Sequence, residues 1–131
     1  MEQLVYISRA ADHIDSGEVF QIVRDSAQRN PERGLTGFLV FVRGLFIQYV
    51  EGEGDALDGL LDALARDDRH SDLHVIDRRP IASRRFPAWR MERVSMAERR
   101  DTALEQMLRS AGMSDRAIID IHDRLNARRA A

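Results

Sequence analysis

The chain has 131 residues, 44% of them apolar and 32% charged, which indicates a single globular domain with a substantial core and excludes global disorder. The net charge of −2 argues against a general nucleic-acid binder, and no run approaches the ~20 apolar residues that a membrane span needs. The chain contains no cysteine and no lysine, which excludes disulfides, thiolate metal sites, cysteine nucleophiles, Schiff-base lysines and the lysine of a phosphate-binding loop.

The first predicted elements are a strand and an amphipathic helix. The apolar run 3–8 has the composition of a strand. Asp15 precedes Glu18 with the spacing of a capping box, and apolar residues at helical spacing predict a helix over 16–29. Asn30-Pro31 should end this helix, because the residue before a proline is pushed out of the helical region.

A hairpin and a second helix should follow. The apolar runs 35–42 and 45–50 are separated by a two-residue connection that ends in Gly44, which is typical of a hairpin. Leucines then repeat at helical spacing after Gly54 and predict a helix that ends near Asp67.

The remaining elements complete a recognisable order. Strands are predicted at 73–79 and 88–94, joined by an arginine-rich loop. The order β-α-β-β-α-β-β indicates an α+β, ferredoxin-like fold, in which a mixed sheet carries two helices on one face. The last part, 97–129, should form two short helices that break near Gly112. These helices are either a cap on the sheet or a dimer contact, and the sequence does not choose between the two.

Polar residues on the apolar strands are the first candidates for a site. Gln48 shares a strand face with Phe46 and Val50, and Tyr6 stands in the middle of the first strand. A buried amide without partners costs about 1–3 kcal/mol, so Gln48 must be hydrogen-bonded to some group. The alternatives without function are a core pair of Gln48 with a tyrosine and, for Asn30, a role in closing the first helix.

Common catalytic and metal motifs are not found. His70 and His74 lie near the predicted end of the second helix, and no carboxylate cluster completes a metal site there. The sequence has neither GxSxG nor GxGxxG, so neither a hydrolase nucleophile nor a Rossmann nucleotide loop is indicated. A block of arginines late in the chain is either a solvated strand edge and loop or a phosphate contact; its members are Arg78, Arg79, Arg84, Arg85, Arg90, Arg93, Arg99 and Arg100.

Several segments of the sequence, taken in order, resemble the BLUF family of flavin-binding blue-light sensors. These segments are LVYIS, SAQRNPERGLTGFLVF, GLFIQYVEGEG, DDRH and RRFPAWRM. The resemblance covers residues 3–94 with no large gap. It implies a photoreceptor, not an enzyme, that binds oxidised flavin without a covalent bond. The implied cofactor is FAD, with FMN or riboflavin as alternatives.

The resemblance also implies the site residues. Tyr6 matches the family's photoactive tyrosine, Gln48 its switching glutamine, and Asn30 the asparagine that hydrogen-bonds the isoalloxazine ring. Trp89 and Met91 match the semi-mobile residues near the glutamine and would relay the signal. The other cofactor-binding positions, to which Met91 is added, are Ile22, Ser26, Arg29, Phe46, Leu64, Asp67, Arg69 and His70.

The family resemblance implies a hydrogen-bond switch. Light would drive an electron and then a proton from Tyr6 by way of Gln48, which would end rearranged, with a new hydrogen bond to a flavin carbonyl and a small red shift of the absorption. A cysteinyl–flavin adduct is excluded because the chain has no cysteine. Arg29 departs from the family, since many members have asparagine there. The second contact to the flavin, and its effect on affinity or spectrum, therefore stay open.

The expected output is a signal to another protein. The resemblance divides the chain into a BLUF flavin-binding domain at 1–96 and a C-terminal helical extension at 97–131. Since the chain has no room for an effector domain, we expect the last strand and the C-terminal helices to act on an unidentified downstream protein. A homodimer is expected of a short sensor of this type, and the charge and the lack of a long apolar run predict no nucleic-acid or membrane partner. The N-terminus lacks a secretory signal, so a cytoplasmic location is expected.

Other functions stay open beside this one. A small enzyme could hold an anionic substrate with arginine and asparagine, and an interaction module could use the sheet or the C-terminal helices. A third alternative is a flavin-binding relative that no longer signals, for which Arg29 would be the first suspect. A flavin absorption spectrum, and its response to blue light, separates these alternatives.

Overall fold

The computed structural model describes residues 1–86 and 102–130. The strands are β1 (Glu2–Ala10), β2 (Thr36–Val42), β3 (Leu45–Gly52) and β4 (His70–Pro80). The helices are α1 (Ser16–Glu32), α2 (Gly54–Ala65), α3 (Thr102–Ser110) and α4 (Asp115–Ala130). The strand predicted at 88–94 lies outside the described residues. None of the described helices is both long and apolar enough to cross a bilayer.

The described strands form one sheet in the order β2-β3-β1-β4. Each of the three neighbouring pairs is antiparallel. The α+β class and the ferredoxin-like plan are confirmed, because α1 and α2 connect the strands as predicted. No parallel pair occurs among these four strands, so the mixed sheet depends on the predicted strand 88–94.

Helix α1 does not end at Asn30-Pro31, and this prediction was wrong. The helix runs through Pro31 to Glu32 and ends in a Schellman motif. Gly34 adopts a φ of 75°, its N–H donates to the Pro31 carbonyl at 3.0 Å, and the Leu35 N–H donates to the Asn30 carbonyl at 2.9 Å. These bonds stabilise the last turn, so the glycine ends the helix and not the proline. At the other end, the Asp15 side chain accepts from the Glu18 N–H, as expected of a cap.

The hairpin between β2 and β3 is confirmed. Arg43 and Gly44 both have positive φ values, 51° and 79°, as a type I′ turn requires. Strand β4 begins at His70 and not at residue 73, because its pairing with β1 extends to Ala10 opposite His70. His70 therefore lies at the start of a strand, beside the end of α2.

The two faces of the sheet are covered by different helices. Helices α1 and α2 pack on one face, which carries Tyr6 and Phe46. Helices α3 and α4 pack on the opposite face, where Leu108 and Leu125 belong to the same core cluster as Tyr49 and other strand residues. Within the described residues, the C-terminal helices thus cap the sheet. Of their apolar positions, Ile119 is exposed.

Candidate cofactor cleft

A cleft of about 80 Å³ lies between α1 and α2 and extends to the start of β4. Ile22, Ser26, Arg29 and Asn30 line it from α1, and Leu64 lines it from α2. Asp67, Arg69 and His70 close one end, and the remaining lining residues are Asp25, Arg33, Leu60 and Ala63. The structure therefore brings together eight of the site residues expected from the sequence. Phe46 lies beneath the cleft and packs with Ile22.

Tyr6 and Gln48 face each other directly across β1 and β3. Both side chains are buried, with 2% and 1% of their surface exposed. Directly opposed residues on one face of an antiparallel pair have Cβ atoms ~5 Å apart, close enough for side-chain contact. Tyr6 belongs to the cluster formed with α2. The register thus places the two residues side by side on the sheet face that lies under the cleft.

Buried amide atoms at this face have no hydrogen-bond partner among the described residues. They are Nε2 and Oε1 of Gln48 and Nδ2 of Asn30. Each group left in this state costs about 1–3 kcal/mol, so a ligand that carries both donors and acceptors would recover that energy. The isoalloxazine ring of a flavin has carbonyl oxygens and a ring N–H on one edge. The residues present therefore fit a flavin.

His70 joins the cleft to the sheet. Its Nδ1 lies 2.9 Å from Ser8 Oγ, and its ring centroid lies 4.7 Å from that of Phe46. Burial lowers the pKa of His70 below its ordinary value of 6.5, although the Asp67 carboxylate opposes this shift. The imidazole is therefore neutral at physiological pH and can accept or donate a single hydrogen bond at each nitrogen.

An arginine held by two carboxylates closes one end of the cleft. Arg69 donates to Asp67 at 2.8–3.2 Å and to Asp25 of α1 at 3.1 Å. Hydrogen bonds from Arg69 hold the pKa of Asp67 below its usual value. Burial would raise the pKa of Asp25, but hydrogen bonds from Gln21 and Arg69 lower it overall. The ion pairs tie α1 to the start of β4.

Asp25 is a cleft residue that was not predicted from the sequence. It stands three residues after Ile22 on the same helix, a spacing that places both on one face. That spacing in the sequence could have indicated that Asp25 lies at the cleft.

The Tyr6 phenol is protonated throughout the physiological range. Burial raises the pKa of Tyr6, and the nearby Asp67 carboxylate raises it further. A neutral phenol in this position can donate its proton within the buried face and cannot lose it to bulk water.

The described arginines of the late basic block are engaged with protein groups. Arg78 contacts Glu2 at 3.0 Å and Asp58 at 2.7 Å. Arg84 donates to the carbonyl oxygens of Gly34 and Glu51. None of the four described members lines the cleft; Arg79 and Arg85 are exposed, whereas Arg78 and Arg84 are held by neighbouring groups. Trp89 and Met91, expected to lie near Gln48, are outside the described residues.

Within residues 1–86 and 102–130, no group of three potential metal ligands is found. His70 and His74 both lie on β4, and His70 is hydrogen-bonded to Ser8.

Comparisons with known proteins identify similar sequences. The family model described as "BLUF: Sensors of blue-light using FAD" matches residues 1–92. The photoactivated adenylate cyclase subunit beta of Euglena longa is 36% identical over 85 residues, which is 65% of this chain and 10% of that protein. The same subunit of Euglena gracilis is 34% identical over the same share of each chain. The chain thus spans about a tenth of the length of these relatives.

Solved structures show the same fold. A BLUF protein named BlrB, in its dark state, superposes with a TM-score of 0.71 at 33% identity, covering 96% of this chain and 95% of that one. A bacterial light-regulated adenylyl cyclase superposes with a TM-score of 0.70 at 28% identity, covering 96% of this chain and 36% of the cyclase.

Proposed function

This chain belongs to the BLUF family of blue-light sensors that use FAD, and from this premise we propose that it signals by rearranging hydrogen bonds at Gln48. The observation that carries the proposal is the buried Gln48 amide, which faces Tyr6 and has no partner for either of its polar atoms among the described residues. The proposed cofactor-binding set is the one predicted from the sequence, with Asp25 added because it orients Arg69.

When bound, a flavin supplies the absorption of blue light and an excited state that accepts an electron. With a flavin bound, Tyr6 would be the donor of an electron and a proton to the ring, and the Gln48 side chain opposite it would carry the proton. Once the electron and the proton had returned to Tyr6, the Gln48 amide, rotated or tautomerised, would be free to donate a hydrogen bond to a ring carbonyl. Asn30 would hold the polar edge of the ring, and Leu64 and Phe46 would exclude water from it.

The first test is the absorption spectrum of the purified protein before and immediately after blue light. We expect a flavin spectrum that shifts slightly to the red and recovers in darkness. A flavin spectrum without a shift would leave a binding protein whose switch is inactive. A protein that takes up no flavin, even with FAD added, would overturn the proposal.

Replacing Tyr6→Phe should abolish the red shift and leave flavin bound, because only the hydroxyl that supplies the proton is removed. Tyr49→Phe is the matched control, since Tyr49 lies on the opposite face of the sheet and should keep the shift. A retained shift in Tyr6→Phe, measured in the same illuminated spectra, would remove Tyr6 from the mechanism.

We propose FAD as the bound flavin, as the family description names it. Release of the flavin by heat and its identification by chromatography and mass separate FAD from FMN and riboflavin. Arg29 and Arg33 stand at the cleft and are exposed, so the phosphate end of a flavin nucleotide would meet positive charge there.

We propose that the output is a protein contact and that the chain itself has no catalytic activity. The relatives are named as subunits of adenylate cyclases, but this chain spans only about a tenth of their length. The proposed route runs from Gln48 through Trp89 and Met91 to the extension at 97–131 and on to a downstream protein. A homodimer and a cytoplasmic location stay predictions from the sequence. Hydrogen exchange in dark and light tests the route, and identical protection across 102–127 would contradict it.

A further inference from the structure

A second buried polar cluster lies on the sheet face opposite the cleft. Its members are Gln3, Tyr49, Glu51 and Asp77, and the first three are fully buried. The Tyr49 hydroxyl donates to Glu51 Oε1 at 2.7 Å, and Gln3 Nε2 donates to Asp77 Oδ2 at 2.8 Å. A polar group buried this deeply must be hydrogen-bonded, because leaving it unpaired in the core would be costly. None of the cleft functions uses this cluster, which we call the Glu51 cluster.

The Glu51 carboxylate holds the segment that follows β4. Its Oε1 accepts from the Arg85 N–H at 2.7 Å, and its Oε2 accepts from the Phe86 N–H at 3.2 Å. The Arg84 guanidinium adds bonds to Thr36 Oγ1 at 2.6 Å and to the Gly34 carbonyl at 2.7 Å. Residues 81–86 therefore cross from the end of β4 to the start of β2, and we call them the crossover segment.

The crossover segment in turn contacts the turn between α3 and α4. A Cβ atom at Gly112 would lie 2.5 Å from a guanidinium nitrogen of Arg85, so the two residues are in direct contact. Arg79 also donates to the Gly112 carbonyl at 2.6 Å. Phe86 packs edge-on against Tyr49, with ring centroids 5.3 Å apart. A continuous set of contacts thus runs from β3 to the α3–α4 turn.

We propose that Glu51 is a positioning residue that couples the strand carrying Gln48 to the α3–α4 turn through the crossover segment. Gln48 and Tyr49 are consecutive and point to opposite faces of the same strand, so a backbone shift at Gln48 also moves Tyr49. Tyr49 and Glu51 move with the crossover segment, because their bonds are buried and costly to break. The structure thereby links the cleft to the C-terminal helices by described residues alone. The light-dependent part of this proposal rests on the proposed function, whereas the coupling itself does not.

The coupling is tested in darkness with Glu51→Gln, which keeps the size of the side chain but presents an NH₂ group to one of its donors. The measurement is hydrogen exchange by mass spectrometry on the full chain as purified. We expect exchange to rise about tenfold, or ~1.4 kcal/mol, both in the crossover segment and at 110–114, with 54–65 unchanged. A rise confined to the crossover segment would overturn the coupling.

Glu53→Gln is the matched control, because the same change is made at an exposed glutamate two residues away on the chain. It should leave exchange unchanged at 110–114. If Glu51→Gln does not fold, Tyr49→Phe provides the dark test in its place, because it removes one hydroxyl donor to the Glu51 carboxylate.

The light-dependent part is tested with Tyr49→Phe in illuminated and dark samples. We expect the red shift to persist while the light-minus-dark difference in exchange across 102–127 falls at least threefold. A purely structural role would raise exchange equally in both states and leave that difference intact, which would overturn the signalling role. If the unmodified protein shows no red shift, the proposed function fails. The dark test with Glu51→Gln still decides the coupling in that case.

Discussion

Gln48 lies in a position where an amide lowers the stability of the flavin-free protein. It is buried opposite Tyr6 on β3, which is paired on both sides. The backbone groups around the amide are therefore used in strand pairing and do not bind it. We expect Gln48→Leu to stabilise the flavin-free protein by about 1–2 kcal/mol, because the unsatisfied amide is replaced by an apolar group of similar volume. Urea unfolding measures this change, and the same variant should show no red shift. A loss of stability would mean that the fold itself satisfies the amide.

His70 gives the cleft a pH dependence in the near-neutral range. Because burial holds its pKa below 6.5, the unfolded chain takes up a proton first as the pH falls. Stability should thus be constant above pH ~7 and fall by up to ~1.4 kcal/mol per pH unit below ~6.5. The ion pairs of Asp25 and Asp67, whose pKa values are also lowered, are lost only in more acidic solution.

The free energy of unfolding of the flavin-free protein, measured at several pH values between 7.5 and 5, tests this dependence. His70→Gln should flatten the curve. His74→Gln, at an exposed position on the same strand, is the control and should not. An unchanged slope in His70→Gln would assign the titration to another group.

The residues of the candidate site could be named from the sequence, but their contacts could not. The resemblance to BLUF proteins named Tyr6 and Gln48, and the alternation of side chains along a strand placed Gln48 on one face with Phe46; the structure pairs Tyr6 with Gln48 across β1 and β3. The Asp25–Arg69 ion pair joins residues 44 positions apart, and no local spacing indicates such a partner. The Glu51 cluster was missed for the same reason, since its donors come from a loop far along the chain.

At the scale of elements, two glycines in equivalent surroundings should respond in opposite ways. Gly34 has a φ of 75° at the end of α1, and Gly59 lies within α2; a Cβ atom would meet nothing within 4 Å at either position. Gly34→Ala should destabilise the protein by ~1 kcal/mol, because a left-handed residue with a Cβ is strained. Gly59→Ala should stabilise it by ~0.5–1 kcal/mol through helix propensity.

Thermal unfolding of both variants measures the difference. Equal effects of the two substitutions would contradict the assignment of Gly34 as the helix-ending residue.

The elements themselves were largely predictable because each has a local signal. The hairpin turn follows from its glycine, and the helices follow from their apolar spacing. The prediction for the end of α1 was wrong because a proline in the last turn removes one helical hydrogen bond, whereas the Schellman motif at Gly34 supplies two. The sequence rule for proline describes a tendency that a stronger cap three residues later overrides.

At the scale of the whole molecule, the sheet separates two polar sites. The cleft lies on the face covered by α1 and α2, and the Glu51 cluster lies on the face covered by α3 and α4. The sequence could not choose between a cap and a dimer contact for the last two helices, because both require the same apolar face. An apolar sheet face left uncovered would be exposed to solvent, so the contacts of α3 and α4 also stabilise the sheet.

Because the proposed coupling runs through Glu51 and the crossover segment, we expect a cavity elsewhere under α3 to weaken the core without altering the dark state of the cleft. Leu108 is fully buried on that face, so Leu108→Ala should lower the free energy of unfolding by about 2–5 kcal/mol. The dark flavin spectrum should stay unchanged, because Leu108 packs on the side of the sheet opposite Tyr6 and Gln48. Ile119→Ala is the control: that side chain is 58% exposed, and its loss should change stability by no more than ~0.5 kcal/mol. Denaturant unfolding together with absorption spectra measures both effects. A shifted dark spectrum in Leu108→Ala at full flavin occupancy would show that packing at Leu108 also affects the cleft.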